Sequence, residues 1–221
     1  MKEKRITTVI FDLDGTLLNT LEDLADSVNY ALARYSLPCR TLEEVRSFVG
    51  NGVRKLMERA VPGGCDNECF EEIFSCFKVY YVEHCMVKTG LYPGIPEMLK
   101  ALKDAGFRLA IVSNKLQSGV DELYCHYFKE TVSVAVGEHP GVSRKPAPDM
   151  VNLALRELGC SVGEAVYVGD SDVDVATAVH SGLPCISVLW GFRDRAFLAA
   201  NGAQYFAETP EDVVRILKNG F

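Results

Sequence analysis

Asp12 and Asp14 stand two residues apart where a short β-branched and aromatic run, Ile6 to Phe11, gives way to a polar turn. Side chains two apart on a strand share a face, so both carboxylates can look into one site while Leu13 turns into the core. A second acidic group, Asp170-Ser171-Asp172-Val173-Asp174, follows another apolar run, Ala165 to Val168. If Asp170 lies across from the first pair, three converging carboxylates cannot all stay ionised without a counter-cation. A hard divalent ion meets that need, and Mg²⁺ favours oxygen ligands, few protein carboxylates and a phosphate.

Both acidic segments begin like calcium loops, but the likeness fails at the positions that define one. The sixth residue is Leu17 or Val175 instead of Gly, and the twelfth is Asp23 or Ser181 instead of Glu. Asp172 reads as the cap of the helix that begins at Val173. Asp12 has no such reading, because it ends an apolar strand directly. Lys145 supplies the opposite charge, and Pro146 and Pro148 stiffen the loop that carries it. Ser113 and Asn114 offer a hydroxyl and an amide at a third strand end, just before a helix start, where a phosphoryl group sits well.

The elements that must position these residues follow from hydrophobic period. Leu21, Leu24, Ala25, Val28, Ala31, Leu32 and Tyr35 form a helical stripe that Thr20 opens and Pro38 ends. Thr41 to Glu44 is a capping-box pattern. Val53, Leu56, Met57 and Ala60 make a second stripe, and Phe70, Ile73, Phe74, Phe77 and Tyr81 a third. The block 19–87 is therefore predicted all-helical. Beyond Tyr92-Pro93-Gly94 the chain alternates, with strands predicted at Phe107–Val112, Thr131–Val136, Ala165–Val168 and Pro184–Leu189. Helices are predicted over Met98–Leu102, Leu116–Tyr127, Pro148–Leu158, Val173–His180, Arg195–Ala200 and Glu211–Lys218. Such alternation predicts an α/β fold, a doubly wound parallel sheet with right-handed crossovers and an inserted all-helical domain. Ligands of such sheets bind beyond the C-terminal strand ends, which is where Asp12, Ser113, Lys145 and Asp170 fall.

The composition bounds the partners. The chain has 221 residues, 23 Lys and Arg against 30 Asp and Glu, and a formal net charge of −7. That balance lacks the electrostatic footprint of a nucleic-acid binder, and it would repel an anionic ligand unless a local feature reverses the field. Lys2, Lys4 and Arg5 imitate the start of a secretory signal, but the apolar stretch behind them stops at Asp12. No apolar run approaches the length of a membrane span, so a cytoplasmic location is expected. Eight cysteines without zinc-finger spacing are expected to be reduced thiols packed among apolar groups. Cys65, Cys69, Cys76, His84 and Cys85 are the nearest approach to a zinc pattern.

Taken together, Asp12-Leu13-Asp14-Gly15-Thr16-Leu17, Ser113-Asn114-Lys115, Lys145-Pro146-x-Pro148-Asp149 and Gly169-Asp170-Ser171-x-x-Asp174 resemble the four ordered motifs of the haloacid dehalogenase superfamily. The insertion after the first motif resembles that superfamily's helical cap of the first class. The nearest likeness within it is to phosphoglycolate phosphatase-type enzymes. That likeness rests on Asn19-Thr20, Val49-Gly50-Asn51-Gly52, Leu56 to Ala60 and Tyr92-Pro93-Gly94. The resemblance implies a core of residues 1–18 and 88–221 with a cap of 19–87. It implies a Mg²⁺-dependent phosphatase of small phosphate monoesters, such as 2-phosphoglycolate, working through an aspartyl-phosphate.

In that chemistry Asp12 is the nucleophile and Asp14 the general acid and base. Lys145 and Ser113 neutralise and bind the phosphoryl group, with Asn114 beside them. The resemblance implies that the metal is held by the Asp12 side chain, the Asp14 backbone carbonyl and Asp170, with Asp174 acting directly or through water. Dehalogenases of this likeness lack an acid at the position of Asp14, so its presence favours a phosphate ester or anhydride. Candidate specificity residues are Asn51, Gly52 and Arg54, with Lys55 next to it, in the cap, and Arg193 after the last predicted strand. A pyrophosphatase and a sugar-phosphate mutase share the chemistry and remain open, as does a binding protein on the same fold. The expected partner is a small phosphorylated metabolite, with neither nucleic acid nor membrane. The sequence leaves monomer and homodimer undecided.

Overall fold

The computed structural model describes residues 6–220. Lys2, Lys4 and Arg5, the imitation of a signal start, lie outside them. The described chain divides into two compact units, one of Leu18–Gly90 and one formed by the segments before Leu18 and from Leu91 onward.

Strand β1 (Thr8–Phe11) is short and buried along its length. After it come β2 (Leu18–Asn19), helices α1 (Leu21–Arg34), α2 (Leu42–Phe48), α3 (Gly52–Ala60) and α4 (Phe70–His84), then β3 (Gly90–Leu91). β2 and β3 pair as a small sheet of their own, which apolar period over two residues cannot announce. Within the helical unit, Leu24, Val28, Ala31 and Leu32 of α1 and Phe70, Ile73, Phe77 and Tyr81 of α4 are buried. Phe70, Phe74, Phe77 and Tyr81 follow one another at helical spacing with ring centroids 6.1, 6.5 and 5.4 Å apart. The Thr41–Glu44 capping box forms as the sequence predicts. The buried Asp23 carboxylate accepts the backbone N–H groups of Lys88 (3.0 Å) and Thr89 (2.8 Å), which ties the end of the block to α1.

The chain then runs through α5 (Ile95–Asp104), β4 (Arg108–Leu116), α6 (Gln117–Leu123), β5 (Val134–Glu138), α7 (Asp149–Leu158), β6 (Ala165–Gly169), α8 (Asp172–Ser181) and β7 (Cys185–Val188). It closes with α9 (Arg195–Ala200), β8 (Tyr205–Ala207) and α10 (Pro210–Asn219). The six core strands form one parallel sheet in the order β5-β4-β1-β6-β7-β8. Chain order reverses beside β1, so its C-terminal end lies at the topological switch point. Ile10, Ala110, Val112, Val136 and Tyr167 on the sheet pack with Met150, Val151, Ala154 and Leu155 of α7 and Ala178 of α8.

Expectations need correction at β4 and at the helix after it, and one strand is additional. β4 does not stop at Val112 but continues to Leu116, with a register irregularity against β5 between those residues. Polar residues continue the strand because Ser113, Asn114 and Lys115, all buried, each find a hydrogen-bond partner. The helix expected over Leu116–Tyr127 is α6 followed by one wide turn of π-helix, Tyr124–Phe128. β8, an edge strand of three residues, was too short to show an alternation.

All eight cysteines are free thiols, but Cys39, Cys65, Cys69 and Cys125 are exposed, contrary to the expectation that all eight are packed. Among the described residues no helix is long and apolar enough to cross a membrane.

Candidate active site

The C-terminal ends of β1, β4 and β6 converge because they are neighbours in one parallel sheet. The backbone N–H of Asp12 donates to Val168 O (2.9 Å), so the strand that carries Asp12 is registered directly on the strand that leads to Asp170. Asp12, Asp170 and Asp174 are buried, and one carboxylate oxygen of each lies within 4.8 Å of the others. The converging trio is therefore not the expected Asp12, Asp14 and Asp170: Asp174 takes the third place, and the carboxylate of Asp14 is directed to Lys115 (3.2 Å).

Lys145 bridges the cluster. Its Nζ lies 2.8 Å from Asp12 Oδ1 and 2.8 Å from Asp174 Oδ1, and it donates to Tyr167 Oη at 3.1 Å. Its side chain is 2% exposed. Burial works against the ammonium, but the charges of Asp12 and Asp174 outweigh it and hold Lys145 well above the usual lysine range. One ammonium does not neutralise three acids. Burial, and behind it the charge of Asp174, push Asp12 well above the usual carboxylate range despite Lys145. The same two causes push Asp170 up to about 7, opposed by its hydrogen bonds and by Lys145.

The loops shape this cluster at close range. Gly15 has φ +90°, and a Cβ there would lie 2.4 Å from Asp170 Oδ2. A Cβ on Gly169 would lie 2.4 Å from Asp174, and one on Gly191 2.3 Å from Asp170. Asp170 also accepts from Thr16 Oγ1 (3.2 Å) and from the Phe192 N–H (2.7 Å). Trp190 Nε1–H donates to the Thr16 carbonyl (2.9 Å), which joins the last loop to the first.

Asp172 does not cap α8. Ser171 is the N-cap, and its hydroxyl and the Asp174 carboxylate satisfy each other's backbone N–H groups. Asp174 thus has one oxygen on Lys145 and the other on Ser171. Asn114 also differs from expectation. Its amide oxygen accepts the Lys145 N–H (2.8 Å) and its amide nitrogen donates to the Lys145 carbonyl (3.1 Å), so its side chain clamps the Lys145 loop. Ser113 is buried at the end of the β4 core register, where its Oγ accepts the Lys115 N–H (3.2 Å). Arg193 pairs with Asp172 at 3.9 Å and lies over the Phe197 ring.

Asn51, Gly52 and Arg54 belong to the helical unit. Asn51 Oδ1 accepts from Arg59 (2.8 Å), and Gly52 opens α3. Arg54 pairs with Glu58 and Glu71 and stacks over Phe70 and Phe74 at 5.2 and 5.4 Å, a set of contacts that braces α3 against α4. Lys55 pairs with Glu58.

Lys115, Tyr167, Trp190 and Phe192 were not read as site residues. Lys115 carried one signal, a cation next to Ser113-Asn114 at a strand end. Tyr167 was visible only as an apolar strand position.

The donor set suits a divalent cation. Three buried carboxylates share one compensating ammonium, and glycine stands wherever a Cβ would enter the cluster.

Comparison with known proteins identifies the kinship of the chain. The profile of the haloacid dehalogenase-like hydrolases matches residues 9–188. The phosphoglycolate phosphatase of Aquifex aeolicus is 32% identical over 216 residues, covering 96% of each chain. That of Pseudomonas savastanoi pv. phaseolicola is 34% identical over 194 residues, covering 83% of this chain and 70% of the relative. A crystal structure from Lactobacillus delbrueckii subsp. bulgaricus, provisionally named a phosphoglycolate phosphatase, superposes with TM-score 0.93 at 34% identity over 96% of this chain and 98% of that one. With a parallel sheet, an acid cluster at its switch point and this kinship, the chain belongs to the haloacid dehalogenase-like hydrolase family.

Proposed function

We propose that this protein hydrolyses small phosphate monoesters through an aspartyl-phosphate on Asp12, with Mg²⁺ as its cation and 2-phosphoglycolate as the first substrate to test. The chain is a phosphatase. The observation that carries the specific reading is the buried convergence of Asp12, Asp170 and Asp174 on Lys145.

A phosphate monoester resists attack because its phosphoryl oxygens repel a nucleophile, so catalysis is positioning and charge neutralisation. Asp12 Oδ attacks phosphorus, the ester oxygen leaves, and Asp14 gives that oxygen a proton. Water then attacks the aspartyl-phosphate, the bond from phosphorus to Asp12 breaks, and Asp14 takes the water's proton. Lys145 and the Ser113 hydroxyl offset the phosphoryl charge, and Asn114 fixes the Lys145 loop. The Asp12 and Asp170 carboxylates and the Asp14 carbonyl would hold Mg²⁺, with Asp174 behind them. That ion would supply positive charge at the phosphoryl oxygens. The helical unit is assigned the part of a cap that selects substrate, and the small phosphorylated metabolite is the only partner the reading requires.

The test is phosphate release by the purified protein, with and without Mg²⁺, from 2-phosphoglycolate, sugar phosphates, pyrophosphate and p-nitrophenyl phosphate. Metal-dependent release with 2-phosphoglycolate preferred supports the reading. Preference for pyrophosphate, or conversion of a sugar phosphate without release, moves it to the pyrophosphatase or mutase. No turnover of any substrate leaves a binding protein. Asp12→Asn should lower kcat at least about 10⁴-fold with an unchanged circular-dichroism spectrum. Near-normal activity in that variant removes Asp12 as nucleophile.

A further inference from the structure

The Ser113-Asn114-Lys115 triplet divides its work. Ser113 and Asn114 have the placements given above, and Lys115 turns back across the sheet. Its Nζ donates to Asp14 Oδ1 at 3.2 Å, with the lysine side chain 5% and the aspartate side chain 18% exposed. The lysine stem lies along Gly119 of α6, where an added Cβ would only reach van der Waals contact with it, at 3.5 Å. Oδ2 of Asp14 has no hydrogen-bond or ion-pair partner among the described residues.

A buried lysine on a core strand meets a carboxylate that has one oxygen engaged and, among the described residues, one without a partner. We propose that Lys115 is a positioning residue for Asp14: it fixes the carboxylate through Oδ1 and presents Oδ2 as the proton acceptor for the water that cleaves the aspartyl-phosphate. The inference rests on the proposed phosphatase chemistry. In that step the water oxygen bonds to phosphorus, the phosphorus–Asp12 oxygen bond breaks, and the water's proton goes to Asp14 Oδ2. An ammonium-paired carboxylate is the form the step needs. Formation of the aspartyl-phosphate from an ester with a good leaving group needs no proton from Asp14, so Lys115 should matter less there.

The two steps separate in the kinetics of p-nitrophenyl phosphate. kcat/KM reports attack by Asp12, and kcat reports hydrolysis of the intermediate once that limits turnover. Lys115→Met should lower kcat about 10-fold while kcat/KM stays within about 2-fold, with a burst of nitrophenolate near one per site. Lys115→Arg should restore most of kcat, and Lys115→Met should add nothing in an Asp14→Asn background. Equal falls in kcat and kcat/KM, no burst, or an additive double variant would overturn the assignment. If the wild type releases no nitrophenolate, the phosphatase reading fails and a crystal structure of Lys115→Met decides the contact by itself. An Asp14 carboxylate that stays in place without its lysine overturns the positioning role, and one that turns away supports it.

Discussion

Asp14 and Asp12 are the same residue type two positions apart, yet the structure gives them opposite surroundings. Asp12 is buried against two further acids and one lysine, whereas Asp14 is partly exposed with one bridge to Lys115. A buried, rigidly held oxygen suits attack on phosphorus, and an accessible carboxyl group suits proton exchange with a leaving group or water. Asp14→Asn should therefore lower kcat/KM for alkyl phosphates at least about 100-fold more than for p-nitrophenyl phosphate, whose leaving group departs unprotonated. The kcat/KM of a series of esters of rising leaving-group basicity checks this, and a uniform loss of kcat/KM across the series would remove Asp14 as the acid. The carboxylates were legible in the sequence because an ionisable group that ends an apolar strand has few structural excuses. The expected trio was wrong in one member, because choosing between Asp14 and Asp174 needs the α8 capping box, and that is set by geometry around Ser171. Tyr167 and Lys115 were hidden for a related reason: each contributes through a partner more than 20 residues away.

At the scale of elements, long periodic segments were readable and short ones were not. α1 and α4 carry stripes over 14 and 15 residues and appear where the period places them. β2, β3 and β8 have two or three residues each and owe their existence to neighbouring strands. The β4 end was misplaced because a strand that continues through Ser113, Asn114 and Lys115 looks like a turn until the partners of these side chains are known. The part played by the loop after β7 is likewise visible only through its partners. Trp190, Gly191 and Phe192 hold Thr16 and Asp170, and Gly191 leaves no room for a methyl group. Gly191→Ala should displace Asp170 and weaken Mg²⁺ binding by about 10- to 100-fold while the sheet persists. Titration calorimetry measures this, and unchanged affinity would mean that the loop does not set the position of Asp170.

For the molecule as a whole, the net charge of −7 argued against an anionic ligand, but the structure shows how part of that charge is gathered. Asp170 is held near 7 when folded, against an ordinary 3.8. Between those values the folded, metal-free protein keeps a proton that the unfolded chain releases, so its stability falls as pH rises through that window. A cation that binds the ionised cluster removes this penalty and adds its own binding energy. Mg²⁺ should therefore raise Tm more at pH 8 than at pH 5, as read by scanning calorimetry, and equal shifts at both would separate the cation from these acids.

The position of β1 in the sheet has a consequence for how the protein is made. Residues 8–11 pair with 108–111 on one side and with 165–168 on the other. During synthesis the segment bearing Asp12 emerges before both of its partners and waits, an apolar strand whose edges close only as residues 108–111 and then 165–168 follow. The Leu18–Gly90 block is contiguous and can form its local contacts meanwhile. Such long-range closure predicts slow assembly of the sheet and an early window in which β1 is prone to wrong pairing. The strand's brevity, four residues, limits that hazard.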